Sequence, residues 1–503
     1  MEAAENIADG NSGFGQRVKS AVFWRSGSQI VSQLVMWGST LAVIRILDPS
    51  DYGLFAMTQV VMVFLAFLNG YSFASALIQQ EKVEPHRIRQ AFGLLILLNA
   101  GIALIQILAA PLIGDYYGQP MVTEMLRWQS IIYLATPFMV VPEVLMSRDL
   151  EFRRQAYVNL ASALAGAITA LGCALSGMGV WTLVAAPIAL FWTRAIGLCI
   201  AARFWVWPSF NFRGAGGIIS FGGALLASHF FWIIQSQSDI FIAGRILDPH
   251  HLGLYAEALF LAQIFASKFV PPLNEVAFPA YSRLQSDRSA LSWSFLKAVR
   301  LILLISCPVY LGMSVTAEPM VVSLFGEKWR DMAPFVQIIA LAMPFMTLQI
   351  LFAPAVNALG KPRITMFNSA FGAGLMALTF FIAVRYGAIG LAWGWLIAFP
   401  ILTLFTFMMS APVIGISARE LGGAIWPGLS ASAAMAAIVY LADLAALQAG
   451  LFDGVPVMLR LGLLVGIGGL SYLAMLWLLA RETLSEMLRL VARRQPPAAP
   501  AAI

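Results

Sequence analysis

Long apolar windows separated by short polar breaks run along almost the whole chain. A membrane-spanning helix needs about 20 mostly apolar residues, and fourteen such windows fit between breaks such as Asp48-Pro49 and Gly360-Lys361-Pro362. Their predicted limits are 22–46, 54–78, 91–113, 124–146, 156–176, 180–202, 218–244, 253–278, 299–323, 333–357, 364–384, 389–411, 422–442 and 457–479. The pattern predicts an all-α, polytopic integral membrane protein.

The composition narrows the class of protein further. Of 503 residues, 60% are hydrophobic and 11% are charged, whereas about 25% are charged in an average soluble protein. This balance excludes a disordered chain. The three cysteines lie in apolar runs, which does not fit a disulfide-stapled secreted domain. The longest polar stretch between predicted spans is 281–298, so there is no room for a large aqueous catalytic domain.

Lysine and arginine residues are concentrated in alternate loops. If the N-terminus is cytoplasmic, most of these cations lie on the cytoplasmic side, as the positive-inside rule requires. Residues 1–20 then form a cytoplasmic tail, and they lack the apolar core of a cleaved signal peptide. Residues 481–503 form a second cytoplasmic tail. The net charge of +6 follows from this topology, so it does not indicate nucleic acid as a partner.

One segment of the chain occurs twice. Residues 45–56 read RILDPSDYGLFA and residues 245–256 read RILDPHHLGLYA, with eight of twelve positions identical. Spans one to six therefore correspond to spans seven to twelve, and both halves enter the membrane from the same side because six is even. The predicted organisation is an N-lobe at 21–205, an inter-lobe loop at 206–216, a C-lobe at 217–412, and two extra spans at 413–480.

The repeated segment has two interpretations. Asp48 and Asp248 each precede a proline, which is typical of a helix N-cap with proline at the first helical position. Gly53 and Gly253 would allow close packing at the start of a span. The segment is therefore either a structural turn at the gate side of the membrane or a direct contact with substrate.

The pattern R-x-L-x-P-x-D-Y-G-x-x-A at Arg45–Ala56 resembles the signature region of bacterial polysaccharide exporters. These are oligosaccharidyl-lipid flippases of the wider multidrug and oligosaccharidyl-lipid exporter superfamily. The chain looks closest to the colanic-acid and lipopolysaccharide exporter branch, and its length and span layout are also similar. The second copy departs from the pattern, because His250-His251-Leu252 replaces Ser50-Asp51-Tyr52.

The resemblance implies translocation of undecaprenyl-diphosphate-linked oligosaccharides across the bacterial inner membrane, by alternating access between two lobes. Lipid-linked oligosaccharide and membrane lipids would be partners, together with polysaccharide polymerase and chain-length machinery. The alternatives are a multidrug or lipid II exporter of the same superfamily, or a polymerase or ligase. The enzyme alternative is disfavoured by the short outer loops and by the lack of an Asp-x-Asp pair, a glycine-rich phosphate loop or zinc-type Cys/His spacing. No catalytic residue, cofactor or metal is predicted.

Polar side chains within the spans are the candidates for substrate contact. A polar or charged group deep in a bilayer is costly and usually faces a cavity. In the first and seventh spans such groups recur at helical spacing, at positions related by the repeat, which favours a water-filled cleft between the lobes. The predicted cavity-lining residues are Ser28, Gln29, Ser32, Asn69, Ser228, Trp232 and Gln235.

Cations toward the cytoplasmic end are the candidates for holding the diphosphate, since charge-assisted hydrogen bonds are strong in a desolvated cleft. They are Arg25 and Lys268, with Arg194 as a third. Arg25 could instead extend to the interface, and Arg194 could serve a charge contact within its lobe. Lys268 could instead pair with Glu257 or Glu275, since 11 and 7 residues of separation place all three within ~20° on one helix face.

Coupling to an ion gradient needs a titratable group inside the membrane. The candidates are Asp239, Glu257, His229 and Glu275. The acids could instead be charged groups that are solvated at the end of a helix. His229 could instead be an interior histidine whose hydrogen bonds are satisfied within the protein.

Overall fold

The computed structural model describes residues 27–68, 85–148, 151–211 and 216–479, with the backbone alone at 216–229. The α-helices in these ranges are α1 Gly27–Ile46, α2 Pro49–Phe67, α3 Pro85–Tyr117, α4 Pro120–Gln129, α5 Ile131–Arg148, α6 Phe152–Leu175, α7 Trp181–Ala201, α8 Gly216–Ile246, α9 Pro249–Arg283, α10 Arg288–Val315, α11 Ala317–Phe325, α12 Ala333–Ala358, α13 Pro362–Ala383, α14 Gly387–Ile414, α15 Ala418–Gln448 and α16 Val457–Leu479. Short 3-10 turns at Glu327–Met332 and Val384–Tyr386 join helices.

Eleven helical stretches in the described ranges are long and apolar enough to cross a membrane. The predicted class, an all-α multi-pass membrane protein, is therefore confirmed. The prediction of a polar loop at 281–298 is wrong, because α9 continues to Arg283 and α10 begins at Arg288. Asp287 caps α10 by accepting a hydrogen bond from the Ala290 N–H at 3.1 Å. Polar residues continue a helix beyond its apolar window when the caps satisfy its end.

The chain forms two compact units. The first comprises Met1–Ile233 and Ile240–Gly253, and the second comprises Ile234–Asp239 and Leu254–Ile503. In the first unit α7 packs on α5 and α6, and α3 packs on α4 and α5. In the second unit α10 packs on α12 and α15, α12 packs on α14, and α15 packs on α16. The lobe limits inferred from the repeat stay a prediction.

Both copies of the repeated segment begin a helix after a capping aspartate. The Asp48 N–H donates to Asp51 Oδ2 at 3.1 Å, directly before α2. In the second copy the N–H groups of His250 and His251 donate to Asp248 Oδ1 at 3.0 and 3.1 Å, and His251 Nδ1 lies 2.6 Å from Asp248 Oδ2. The histidine thus replaces the acidic residue of the first copy while the helix start is kept.

Gly53 and Gly253 mark a close crossing inside the first unit. A Cβ on Gly53 would overlap the carbonyl oxygen of Pro249, and a Cβ on Gly253 would overlap that of Pro49. Each glycine therefore lies against the proline of the other copy. Only glycine allows two backbones to approach this closely, so the predicted close packing is confirmed. This reciprocal contact explains why proline and glycine occur in register in both copies.

The segment after α7 is held along α3 by hydrogen bonds. The Ser209 N–H donates to the Arg89 carbonyl at 2.8 Å, and Arg89 Nε donates to the Trp207 carbonyl at 3.0 Å. Phe204 is buried, whereas Trp205 and Trp207 are more than four-fifths exposed. Exposed tryptophans at the end of a span suit the membrane–water interface.

We expect Gly53→Ala to lower the thermal stability of the purified protein. The added methyl group must displace backbone, and overpacking of this kind costs ~1–3 kcal/mol, although alanine is otherwise the better helix former. Gly101→Ala in α3 is the matched control, since a Cβ there meets nothing within 4 Å. Unfolding temperatures in detergent measure both variants. Equal temperatures for Gly53→Ala and Gly101→Ala would contradict the close crossing.

Candidate functional site

A polar cavity lies inside the first unit, between α1, α5, α6 and α7. Its volume is about 380 Å³, within the ~300–1,000 Å³ range of small-molecule sites. Amide and hydroxyl side chains are frequent in its lining, together with apolar residues such as Phe152 and Leu190. The amide and hydroxyl residues are Ser28, Gln29, Ser32, Gln33, Ser147, Gln155, Asn159 and Ser162. A partly enclosed surface with these groups, within spanning helices, offers a hydrophilic ligand replacements for its hydrogen bonds with water.

One face of α1 forms a wall of this cavity. Ser28, Gln29 and Ser32, three of the predicted cavity-lining residues, all lie on it. On other sides of α1, Ile30 and Leu34 are exposed, as residues that contact lipid would be. These residues line a cavity inside the first unit, whereas the cleft between the lobes stays a prediction. The use of this wall by a substrate also stays a prediction.

An ion pair joins two walls of the cavity. Arg194 of α7 donates from Nη2 to Glu143 Oε1 of α5 at 2.8 Å. Both side chains are largely shielded, with 30% and 22% exposed. Arg194, predicted to bind the diphosphate, thus has a carboxylate partner that the sequence reasoning missed. The signal for Glu143 was present, because it is an acid well inside the predicted span 124–146 and directly follows Pro142.

Gln155 fixes the position of the α5 wall that carries Glu143. Its Nε2 donates to the Glu143 carbonyl at 3.1 Å and to Ser147 Oγ at 3.0 Å. The amide thereby connects α6 to two residues of α5 that lie one turn apart, Glu143 and Ser147. Buried networks of this type hold side chains in one arrangement when their members are satisfied.

The second unit contains a different polar arrangement around Asp239 of α8. The side chain is fully buried. Tyr255 Oη of α9 donates to Asp239 Oδ2 at 2.8 Å, and Trp395 Nε1 of α14 donates to Tyr255 Oη at 2.6 Å. Three helices therefore meet on one buried carboxylate. The alternative of a solvated helix end is wrong for Asp239, because the group is out of contact with solvent.

Gln235 lies one turn before Asp239 on α8. A Cβ on Gly372 of α13 would overlap its Oε1, so the amide packs directly on a helix backbone within the second unit. Trp232 is about half exposed and does not line the cavity of the first unit.

The predicted cluster on α9 is only partly buried. Glu257 is half-buried, whereas Lys268 and Glu275 are exposed. Over the described ranges, no ion pair joins Lys268 to either acid, so the alternative of a structural pair is not supported. Arg25 and Asn69 lie outside the described residues, as do the side chains of Ser228 and His229.

The residues that the structure describes contain no group of three or more His, Cys, Asp or Glu side chains able to hold a metal ion. The arrangements above are suited to binding polar groups and to holding or moving a proton.

Known proteins with similar sequences act in the biosynthesis of surface polysaccharides. The chain is 26% identical over 348 residues to the succinoglycan biosynthesis transport protein ExoT of Rhizobium meliloti, covering 69% of each chain. It is 24% identical over 390 residues to the lipopolysaccharide biosynthesis protein WzxC of Escherichia coli, covering 76% of this chain and 78% of that one.

The fold is similar to that of the lipid II flippase MurJ in an inward closed conformation. The TM-score is 0.74, with 12% identity, over 92% of this chain and 99% of that structure. The prediction of a transport protein rather than an enzyme is confirmed by the sequence relatives, of which ExoT is described as a transport protein.

A family model described as polysaccharide biosynthesis protein matches residues 42–334, which is more than half of the chain. The matched residues include both copies of the repeated segment and both members of the Glu143–Arg194 ion pair. The protein therefore belongs to this family of polysaccharide biosynthesis proteins.

Proposed function

We propose that the protein translocates undecaprenyl-diphosphate-linked oligosaccharide units across the bacterial inner membrane for surface polysaccharide synthesis. The observation that carries the proposal is the polar cavity within spanning helices of the first unit. The family membership of the protein and the biosynthetic roles named for ExoT and WzxC support the same substrate class.

The physical difficulty of this transport is the glycan. Its hydroxyl groups would lose their hydrogen bonds with water in a hydrocarbon layer ~30 Å thick, and each unpaired polar group costs several kcal/mol there. A lining of serine, glutamine and asparagine side chains replaces those bonds. The polyprenyl chain has no such cost and stays in the lipid.

The full proposal follows the predicted topology. Fourteen spans form two six-helix lobes and two extra C-terminal helices, with both termini in the cytoplasm, and the lobes alternate access to the two sides. Arg25 and Lys268 bind the diphosphate. Arg194 contributes only when Glu143 releases it, because the carboxylate occupies it at 2.8 Å. Polymerase and chain-length proteins receive the translocated unit.

The fold likeness to MurJ favours lipid II export as the second candidate. Lipid II shares the undecaprenyl diphosphate but carries an amino-sugar peptide, so the two functions differ in the head group. A multidrug exporter is less compatible with a cavity lined mainly by amide and hydroxyl groups, since sites for apolar drugs are themselves mostly apolar.

Deleting the gene tests the proposal in the source bacterium. We expect surface polysaccharide to be lost and lipid-linked units to accumulate on the cytoplasmic face, with both effects reversed by the wild-type gene on a plasmid. Quantified surface glycan and extracted lipid-linked oligosaccharide are the measurements. Normal surface glycan together with arrested peptidoglycan synthesis would favour lipid II export instead, and drug sensitivity alone would favour a multidrug exporter.

Lys268→Ala tests the diphosphate contact. We expect the initial rate of glycan export to fall at least tenfold, because a hydrogen bond to a charged group contributes ~1.5–3 kcal/mol. Lys268 is exposed, so folding should be preserved. Lys361→Ala is the matched control, since it removes another exposed lysine at the start of α13. At equal membrane levels, full export by Lys268→Ala would remove this residue from the site.

Asp239→Asn tests coupling. Asparagine keeps an oxygen for the Tyr255 hydroxyl but cannot exchange a proton near neutral pH. We therefore expect export that no longer responds to the proton gradient, with the protein still folded. The measurement is the rate in proteoliposomes with and without an imposed gradient, and Asp453→Asn in an exposed turn is the control. An unchanged gradient response in Asp239→Asn would assign this carboxyl a purely structural role.

A further inference from the structure

We infer that the cavity of the first unit is a binding site for an uncharged sugar of the lipid-linked glycan, separate from the groups that hold the diphosphate. The inference rests on the proposed function, since it assigns one part of the proposed substrate to one cavity. Gln33, Asn159 and the Glu143–Arg194 pair carry it. Gln33 belongs to the polar face seen in the sequence of the first span and Arg194 was a predicted site residue, whereas Asn159 and Glu143 were not predicted.

The cavity wall has unused hydrogen-bonding capacity. The side-chain amides of Gln29, Gln33 and Asn159 form no hydrogen bond with the part of the chain that the structure describes. Gln29 is exposed and the other two are half-buried, so these amides are open to a polar ligand or to the water that it replaces. Ser32 Oγ and Arg194 Nε are buried and also lack a partner among the described residues, and buried polar groups are rarely left unmatched.

The described lining of the cavity carries no net charge. Among the described residues that line it, Glu143 and Arg194 are the only charged side chains, and they neutralise one another at 2.8 Å. A diphosphate would have to compete with the Glu143 carboxylate for the guanidinium. An uncharged ligand meets no such competition. The wall therefore selects for hydrogen-bonding groups rather than for an anion.

The hydrogen-bonding groups of the wall match those of a sugar. Each side-chain amide both donates and accepts hydrogen bonds, as each serine hydroxyl does, and sugar hydroxyls also do both. Gln29 and Gln33 lie on α1 and Asn159 lies on α6, so a bound ring would be held from two helices. Phe152 adds an apolar surface for the less polar face of a pyranose. A volume of about 380 Å³ suits part of a glycan rather than a long repeat unit.

Gln155 is a positioning residue in this arrangement. Its Nε2 is already committed to the Glu143 carbonyl and Ser147 Oγ, so it orients the wall without offering those protons to a ligand.

The test uses the full-length protein in proteoliposomes, with lipid-linked oligosaccharide extracted from the gene-deletion strain as the probe. We expect the double variant Gln33→Ala/Asn159→Ala to raise the apparent KM about tenfold, equivalent to ~1.4 kcal/mol of binding, with kcat within about twofold. Gln448→Ala removes an exposed amide at the end of α15 and should change neither constant. An unchanged KM in the double variant would overturn the inference.

Competition with sugar-free undecaprenyl diphosphate separates the two parts of the substrate. We expect its inhibition constant to be the same for wild type and the double variant, because the altered amides contact only sugar. Equal losses of affinity for both lipids would mean that the cavity binds the diphosphate, which overturns the inference. Loss of the gradient response in Glu143→Gln, with normal KM in the double variant, would identify an ion site instead and also overturn it.

Failure of the underlying function has a different signature. If the wild-type protein does not move the extracted probe, the proposed function itself is wrong. Should the double variant fold poorly, Asn159→Cys gives a second measurement. The extracted probe should protect this cysteine from a membrane-permeant maleimide, whereas undecaprenyl diphosphate without sugar should not. Equal labelling with and without the extracted probe would overturn the inference.

Discussion

The structure depends on one constraint, which is that polar groups removed from water must find partners inside the protein. The backbone meets it through helices, which form every regular element in the described ranges. The side chains meet it in two ways. Many polar residues in the spans are paired with backbone or with each other. Others have no partner among the described residues, and these occur in many helices as well as along the cavity of the first unit. Where several such groups line one cavity, a hydrophilic ligand can be held.

The two units satisfy this constraint differently. In the second unit one oxygen of the buried Asp239 has a built-in partner, because Tyr255 donates to it and Trp395 donates to Tyr255. A chain of that kind can hold or release a proton without admitting a large molecule. In the first unit Gln33 and Asn159 have no such partner in the described chain. A chain of buried side chains suits coupling, whereas amides without a partner suit a ligand that enters and leaves.

The sequence predicted whatever depends on periodicity or on a single residue type. Apolar windows predicted the membrane class, and the repeat predicted the close approach at Gly53 because only glycine permits it. The polar face of the first span was also visible in the sequence, but the cavity that it lines inside the first unit was not predicted. It could not predict Glu143 as the partner of Arg194, since these residues lie 51 positions apart and pair only through the packing of α5 on α7. Tyr255 and Trp395 were missed for the same reason, because each hydrogen bond crosses between helices.

Fold and substrate are therefore encoded by different residues. The likeness to MurJ extends over 92% of the chain at only 12% identity, which is possible because an apolar pattern can be met by many sequences. A shared fold does not fix what is transported. The choice of cargo must come from the few polar side chains that the apolar pattern does not require. In the first unit these are an ion pair without net charge and amides without partners, and such a wall distinguishes a hydroxyl-rich sugar from both an anion and an apolar drug.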